Sequence, residues 1–290
     1  MGHPKMKEFL HDCYQIMSSG NCLSRRSLLP DYIRMRIASS LGRRPLQLPA
    51  LGFSLGVLSK KMGLQLYREI AIAQVYYFSF SGASPLIIDC GSNVGMAVLF
   101  FKKLFPMCHV IALEPDPQAF RVLERNVRDN RWENVTLHNS AVTGNEGTTP
   151  LYVSSENPGD LGTSTIAQSH LPCQLTVPSV RLSTLIGDHN VDFLKLDIEG
   201  AEMEVIDELD RSQAIHQVHQ MVIEYHHHIA GTADCLSCML TVLERNGFGY
   251  QLKCLDINFR NPGGFQVVWI CAHNKAAGRQ RLDRGVLKSA

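Results

Sequence analysis

The chain has 290 residues, 45% of them hydrophobic and 19% charged, enough apolar sequence to bury one substantial core with an appendage. A formal net charge of +1 argues against a general nucleic-acid binder, which is ordinarily clearly basic, and no run approaches the roughly 20 apolar residues that span a bilayer. Nine scattered cysteines fit reduced thiols, and residues 1–27 lack the apolar centre of a signal peptide, so a cytoplasmic protein is expected.

Residues 1–68 predict a helical extension. Its basic stretch at 25–44 reads as a solvated helix face, and Phe53, Leu66, Tyr67, Tyr76 and Tyr77 predict a cap over the carboxyl ends of the strands that follow. From about residue 69, strands and helices alternate. The first clear strand is the apolar run that ends in Asp89. It leads into Gly91, Ser92, Asn93 and Gly95, and Met96 then opens a helix. A buried strand entering a glycine loop and a helix N-terminus is the geometry that cups a nucleotide-like cofactor. Asp89 would repel a pyrophosphate but welcome a cationic amino acid, such as the methionine part of S-adenosylmethionine. Two glycines, where a dinucleotide loop has three, disfavour a nicotinamide-dependent oxidoreductase. A second strand, 109–113, ends at Glu114, where an ionised carboxylate can accept both protons of a ribose diol. Glu114 lies 25 positions after Asp89, close to the roughly 20 expected for that role. Asp116 and Pro117 also read as a helix N-cap and first position, and Phe120, Leu123 and Val127 continue with the stripe of a helix packed on a sheet.

Residues 135–142 predict a third strand and place Ser140 near its end. Short strands at 151–154 and 176–181 flank a Gly/Ser/Thr-rich loop at 157–169, which with residues 1–68 is expected to choose the substrate. An apolar strand at 191–196 ends at Asp197, a helix is expected at 199–209, and a buried strand at 221–225 leads to Glu224 and His226. A helix at 233–246 stops at Gly247, and strands at 249–256 and 264–272 form a closing hairpin around 261–264. The expected fold is α/β: a doubly wound, mostly parallel seven-stranded sheet with a C-terminal antiparallel hairpin. The domain occupies 69–274, followed by a basic tail at 275–290. Ligands of such sheets sit outside the carboxyl ends of the strands, where Asp89, Glu114, Ser140, Asp197 and Glu224 or His226 all fall. The histidine run at 226–228 followed by Cys235 and Cys238 has the count of a zinc site, but the two cysteines are one helical turn apart and can simply pack. Strand alternation sends His226 and His228 to one side and His227 to the other.

The motifs at 89–95, 111–116 and 139–142 resemble the FkbM-type methyltransferase family. So does 191–202, and within it Lys-Leu-Asp-Ile-Glu-Gly-Ala-Glu at 195–202 is close to the family's signature. The resemblance runs from about residue 69 to about residue 273. It departs at 181–185, where the family usually has Asp after the first leucine. It implies a Rossmann-like fold that uses S-adenosylmethionine to methylate hydroxyl groups of sugars or natural products. The donor would be held by Asp89, Gly91, Ser92, Asn93, Gly95, Glu114, Asp116, Ser140, Ala141 and Asp197. Catalysis would fall to Asp197, Glu199 and His226, with Glu199 or His226 taking the acceptor proton. Glu199 as the first residue of a helix would also serve the dipole. Asp197, Glu199 and Glu224 could hold a hard divalent cation such as magnesium, which the chemistry does not demand. The expected partner is a small-molecule or saccharide hydroxyl acceptor, not nucleic acid, with self-association as a homo-oligomer left open. The alternative is a catalytically silent S-adenosylmethionine-binding interaction protein of the same fold; intact Asp89, Gly91, Gly95, Glu114 and Asp197 favour the enzyme.

Overall fold

The computed structural model describes residues 4–18, 23, 25–40, 47–154, 162–168, 171–229, 232–254 and 264–276. Helices α1 (Pro4–Ser18) and α2 (Arg25–Ser40) precede a hairpin of β1 (Gln47–Ala50) and β2 (Phe53–Gly56). Helix α3 (Lys60–Leu66) then runs into a π-helical turn, Tyr67–Ile72. Two strand–helix units follow: β3 (Leu86–Cys90) with α4 (Met96–Leu104), and β4 (His109–Leu113) with α5 (Pro117–Asp129). Strand β5 (Val135–His138) leads to a three-stranded annex of β6 (Ala141–Val142), β7 (Gly147–Val153) and β8 (Cys173–Val180). The chain returns through α6 (Leu182–Ile186), β9 (Phe193–Leu196), α7 (Glu202–Arg211), β10 (Gln220–His227), α8 (Leu236–Arg245), β11 (Phe248–Cys254) and β12 (Gln266–Asn274). Among the described residues, no helix is long and apolar enough to cross a membrane.

The main sheet has the expected seven strands, ordered β5-β4-β3-β9-β10-β12-β11, and only β12 runs against its neighbours. Its central strands are apolar on both faces because helices cover both, as a parallel sheet requires. Ile87, Phe193 and Val222 face one core with α4, while Ile88, Leu194 and Ile223 face the other with α7 and α8. Ile16 of α1 and Leu28, Tyr32 and Met35 of α2 join the first core, beside Tyr67 and Phe101. The expected division between residues 68 and 69 therefore falls inside the π-helical turn, with both sides in one core. Helices α1 and α2 thicken that layer: their described buried side chains pack with β1 and the turn.

Several expected elements change bounds. The strand expected at 135–142 splits: β5 stays in the main sheet, and β6 pairs with Ser179 and Val180 of β8. Asn139 makes the break, its side-chain amide donating to the carbonyls of Glu114 (2.8 Å) and Pro115 (3.2 Å). The short strands expected at 151–154 and 176–181 are parts of one antiparallel ladder, from Gly147 opposite Ser179 to Val153 opposite Cys173. The helix expected from Glu199 starts at Glu202, because Glu199 (φ 57°) and Gly200 (φ 113°) are left-handed. Cys235 caps α8 and Cys238 lies in its first turn. The closing turn at 261–263 and most of the tail, 277–290, lie outside the described residues.

One buried side chain ties the N-terminal hairpin to the glycine loop. Asn126 of α5 accepts from Gly56 N (2.7 Å) and donates to Gly56 O (2.9 Å) and Val94 O (2.7 Å). Asn126→Ala would leave these buried backbone groups without partners, and should cost at least about 2 kcal/mol, since each orphaned group costs about 1–3. Denaturant unfolding checks this; an unchanged midpoint would mean that water replaces the amide.

Candidate functional site

The strand order reverses between β3 and β9, and in such sheets the crevice at that switch point receives the ligand. A cavity of about 600 Å³ fills it. Gly91, Ser92, Asn93, Glu114, Ser140 and Ala141 line one end, and Asp197, Glu199, Glu224 and His226 line the other. No described residue before Gln65 reaches it; from the N-terminal segment come Gln65, Leu66, Glu69, Ile70 and Tyr76.

The first end is shaped by backbone. Gly91 has φ +82°, and a Cβ there would sit 1.8 Å from the carbonyl oxygen of Asp197, so only glycine lets the tips of β3 and β9 meet. The amides of Gly91 and Ser92 both donate to Leu113 O, at 3.0 and 2.9 Å, folding the loop across the tip of β4. Glu114 accepts from Asn93 N (2.7 Å) on one oxygen and from Asp116 N (2.8 Å) on the other. Burial pushes its pKa up to about 7 despite those bonds. The Ser140 hydroxyl lines the same end, buried and without a hydrogen-bond partner among the described residues. A ligand carrying polar groups answers that orphan.

Three residues expected around the donor do not reach the cavity. Gly95 (φ +89°) is the N-cap of α4, where a Cβ would meet Leu123 at 2.6 Å. Asp116 caps α5, accepting from Gln118 N at 2.7 Å. Asp89 is fully buried beneath the loop. Its charge is answered from within the protein: Lys195, its register partner on β9, places Nζ 3.1 Å from Asp89 Oδ1 and 3.2 Å from Asp197 Oδ2. The ammonium also donates to Gly91 O at 2.7 Å. Burial alone would lower the pKa of Lys195, but Asp197 and Asp89 hold it above the ordinary range. The attraction of Asp89 for a cationic amino acid is therefore already spent on Lys195. Reading the motif by its carboxylates missed this lysine; the signal was the spacing of Lys195 and Asp197, two apart and so on one side of β9.

The second end is built by side chains. The Tyr76 hydroxyl lies 3.2 Å from Asp197 Oδ2 and 3.3 Å from Glu224 Oε2, and its ring covers Lys195 Nζ at 5.1 Å. Burial and the nearby Asp197 charge hold Glu224 well above the usual carboxylate range. His226 lies between two carboxylates, with Nδ1 2.9 Å from Glu202 Oε1 and Nε2 3.1 Å from Glu199 Oε2. Burial opposes an imidazolium there, but Glu202 and Glu199 outweigh it and raise the pKa of His226 well above its ordinary value. Glu202 also accepts from Gly200 N (2.9 Å), and Ser164 Oγ donates to Glu199 O (2.6 Å). Together they hold Glu199 in its left-handed conformation, which costs an L-residue roughly 1–2 kcal/mol. Burial pushes the pKa of Glu199 up to about 8. Glu202 was not expected as a site residue, although it closes the Glu-Gly-Ala-Glu motif.

Asp197, Glu199 and His226 each offer a ligand atom, all within 4.8 Å of one another. This set does not suit magnesium, which takes oxygen ligands in octahedral array. One of the three is an imidazole already bound at both nitrogens, and Glu224, expected among the ligands, faces Tyr76.

Residues 89–250 match the methyltransferase FkbM domain. "Methyltransferase 1" of Beauveria bassiana (strain ARSEF 2860) is 26% identical over 211 residues, covering 66% of this chain and 83% of its own length. "Methyltransferase sdnD" of Sordaria araneosa is 26% identical over 184 residues, covering 53% and 71%. Among solved structures, M. jannaschii TYW2 in complex with AdoMet superposes with a TM-score of 0.45 at 15% identity, covering 80% of this chain and 88% of that one. The family domain spans more than half of the sequence, from the glycine loop through the Lys195–Glu202 motif to β11, and the chain belongs to the FkbM methyltransferase family.

Proposed function

We propose that this methyltransferase moves the methyl group of S-adenosylmethionine to a hydroxyl of a sugar or natural-product-like small molecule. The observation that carries the reading is the chain of Glu199, His226 and Glu202 at the acceptor end of the cavity, linked at 3.1 and 2.9 Å. When bound, the donor supplies an activated methyl on a sulfonium. The protein's part is to hold the acceptor oxygen in line with that methyl and to remove its proton. Glu114 and Ser140 are suited to the donor's polar groups, and Ala141 and the Gly91 loop leave room for it. As the oxygen–methyl bond forms and the sulfur–methyl bond breaks, the acceptor proton passes to the Glu199 carboxylate. Its raised affinity for protons makes it a stronger base than a solvated glutamate. His226, fixed by Glu202, stabilises the Glu199 carboxylate before transfer. The carboxyl groups of Asp197, Glu199 and Glu224 in one wall offer hydrogen-bond partners to hydroxyl groups, which suits a neutral polyol.

Glu199→Gln should lower kcat by about 10²–10⁴-fold, the usual worth of a positioned base, while leaving affinity for S-adenosylhomocysteine unchanged. The measurement is transfer of labelled methyl to a panel of hydroxylated acceptors. If Glu199→Gln and His226→Asn both turn over at the wild-type rate, the pair is not the base. Binding of S-adenosylhomocysteine without transfer to any acceptor would leave a donor-binding protein of this fold.

A second prediction concerns Glu114. Only its ionised form accepts protons from both ribose hydroxyls, and with a pKa of about 7 that form predominates above neutrality. Affinity for S-adenosylhomocysteine should therefore fall as pH drops through about 7. Glu114→Gln should bind more weakly above pH 7 and lose this pH dependence. Calorimetric titration across that range decides; a wild-type affinity that is flat with pH would detach Glu114 from the ribose.

A further inference from the structure

The histidine run does what an unbroken strand forbids. Consecutive strand residues point to opposite faces, yet the rings of His227 and His228 lie on one side with centroids 3.8 Å apart. The cause is at the end of β10, where His228 turns left-handed at φ 61°. The alternation expected for this segment is bent at that residue: His228 still lines the cavity with His226, but its ring also lies against that of His227. His226 points to Glu199 and Glu202, whereas both neighbouring rings turn their Nδ1 atoms to Asp234. His227 Nδ1 lies 3.1 Å from Asp234 Oδ1, and His228 Nδ1 lies 2.7 Å from Asp234 Oδ2. The backbone amide of His228 donates to Oδ1 at 2.9 Å and fixes the carboxylate.

One further observation separates this cluster from an ordinary surface ion pair. His227 Nδ1 is buried and, among the described residues, makes no hydrogen bond, although Asp234 Oδ1 lies 3.1 Å away.

We propose that His227, His228 and Asp234 bind a divalent transition metal of the zinc class at the rim of the cavity. One ligand atom from each lies within 4.8 Å of the others. Two imidazole nitrogens and a carboxylate suit zinc, cobalt or nickel, whereas magnesium and calcium prefer oxygen throughout. Three protein ligands leave one tetrahedral position open, as in sites that exchange a water or a substrate atom. His228 also lines the cavity, so that position is available to an acceptor heteroatom entering it. The Cys235 and Cys238 thiols, which suggested a four-ligand site in the sequence, are not part of the cluster. The proposal stands apart from the methyl-transfer reading and does not require it.

The test uses the full chain, stripped with a chelator, dialysed, and titrated with Zn²⁺ by calorimetry and with Co²⁺ by visible absorption. One equivalent should bind, with tetrahedral cobalt bands, no thiolate charge-transfer band and no displacement by millimolar Mg²⁺. His228→Ala and Asp234→Ala should each weaken binding by at least about 100-fold, since even outer partners of a metal are worth 10–100-fold; Cys235→Ser should change nothing. Asp234 is exposed, so Asp234→Ala keeps the test intact if the histidine variant melts early. Absence of saturable binding overturns the proposal. So does equal affinity in Asp234→Ala, which marks scattered surface histidines, or loss in Cys235→Ser with a thiolate band in the wild type.

Discussion

The site depends on one buried cation. Lys195 sits between Asp89 and Asp197 at the tips of the two central strands, all but inaccessible to water. Two carboxylates this close repel each other, and a buried carboxylate without a partner is costly. Breaking a buried pair by removing one partner typically costs about 3–5 kcal/mol, because the remaining charge is stranded. Lys195 therefore ties the ends of β3 and β9 to each other in addition to the ladder between them. Its bond to Gly91 O also sets the height of the glycine loop. Gly91 in turn has no room for a side chain against Asp197 O, so loop, lysine and strand tip form one rigid floor.

From that floor the two ends of the cavity are made in different ways. The end lined by Gly91 and Glu114 relies on backbone: left-handed Gly91 and Asn93, two amides shared on Leu113 O, and a glutamate gripped by two backbone N–H groups. The end lined by Glu199 and His226 relies on coupled side chains, in which the charge of each depends on its neighbours. Tyr76 leans on Asp197 and Glu224, and His226 is shared by Glu199 and Glu202. Rigidity suits a fixed cofactor, and coupled protons suit a step in which a proton must move.

The described part of the N-terminal segment is tied into the same body. Its buried side chains extend the helical layer beside α4, Asn126 fastens its hairpin, and among the described residues only those from Gln65 onward meet the cavity. Tyr76 is the residue through which this segment touches the charged floor.

The doubly wound sheet, the glycine loop, the strand-end place of Glu114 and the closing antiparallel hairpin were all legible in the sequence. These features are local or periodic: an apolar run, a turn that needs glycine, a carboxylate at a strand tip. The placing of Asp197, Glu199 and His226 at neighbouring strand ends could also be read, because strand ends in a parallel sheet share one edge. What pairs with what was decided only by tertiary structure. Asp89 reads as a free carboxylate until β9 lies beside β3 and Lys195 takes it. Glu202 reads as a helix residue until β10 brings His226 to it, and the two rings at 227 and 228 read as opposed until one residue turns left-handed. Periodicity reports which face of its own element a side chain occupies. It carries no information about the charge waiting on the neighbouring element, and here those charges decide which carboxylates are neutralised and which remain to work.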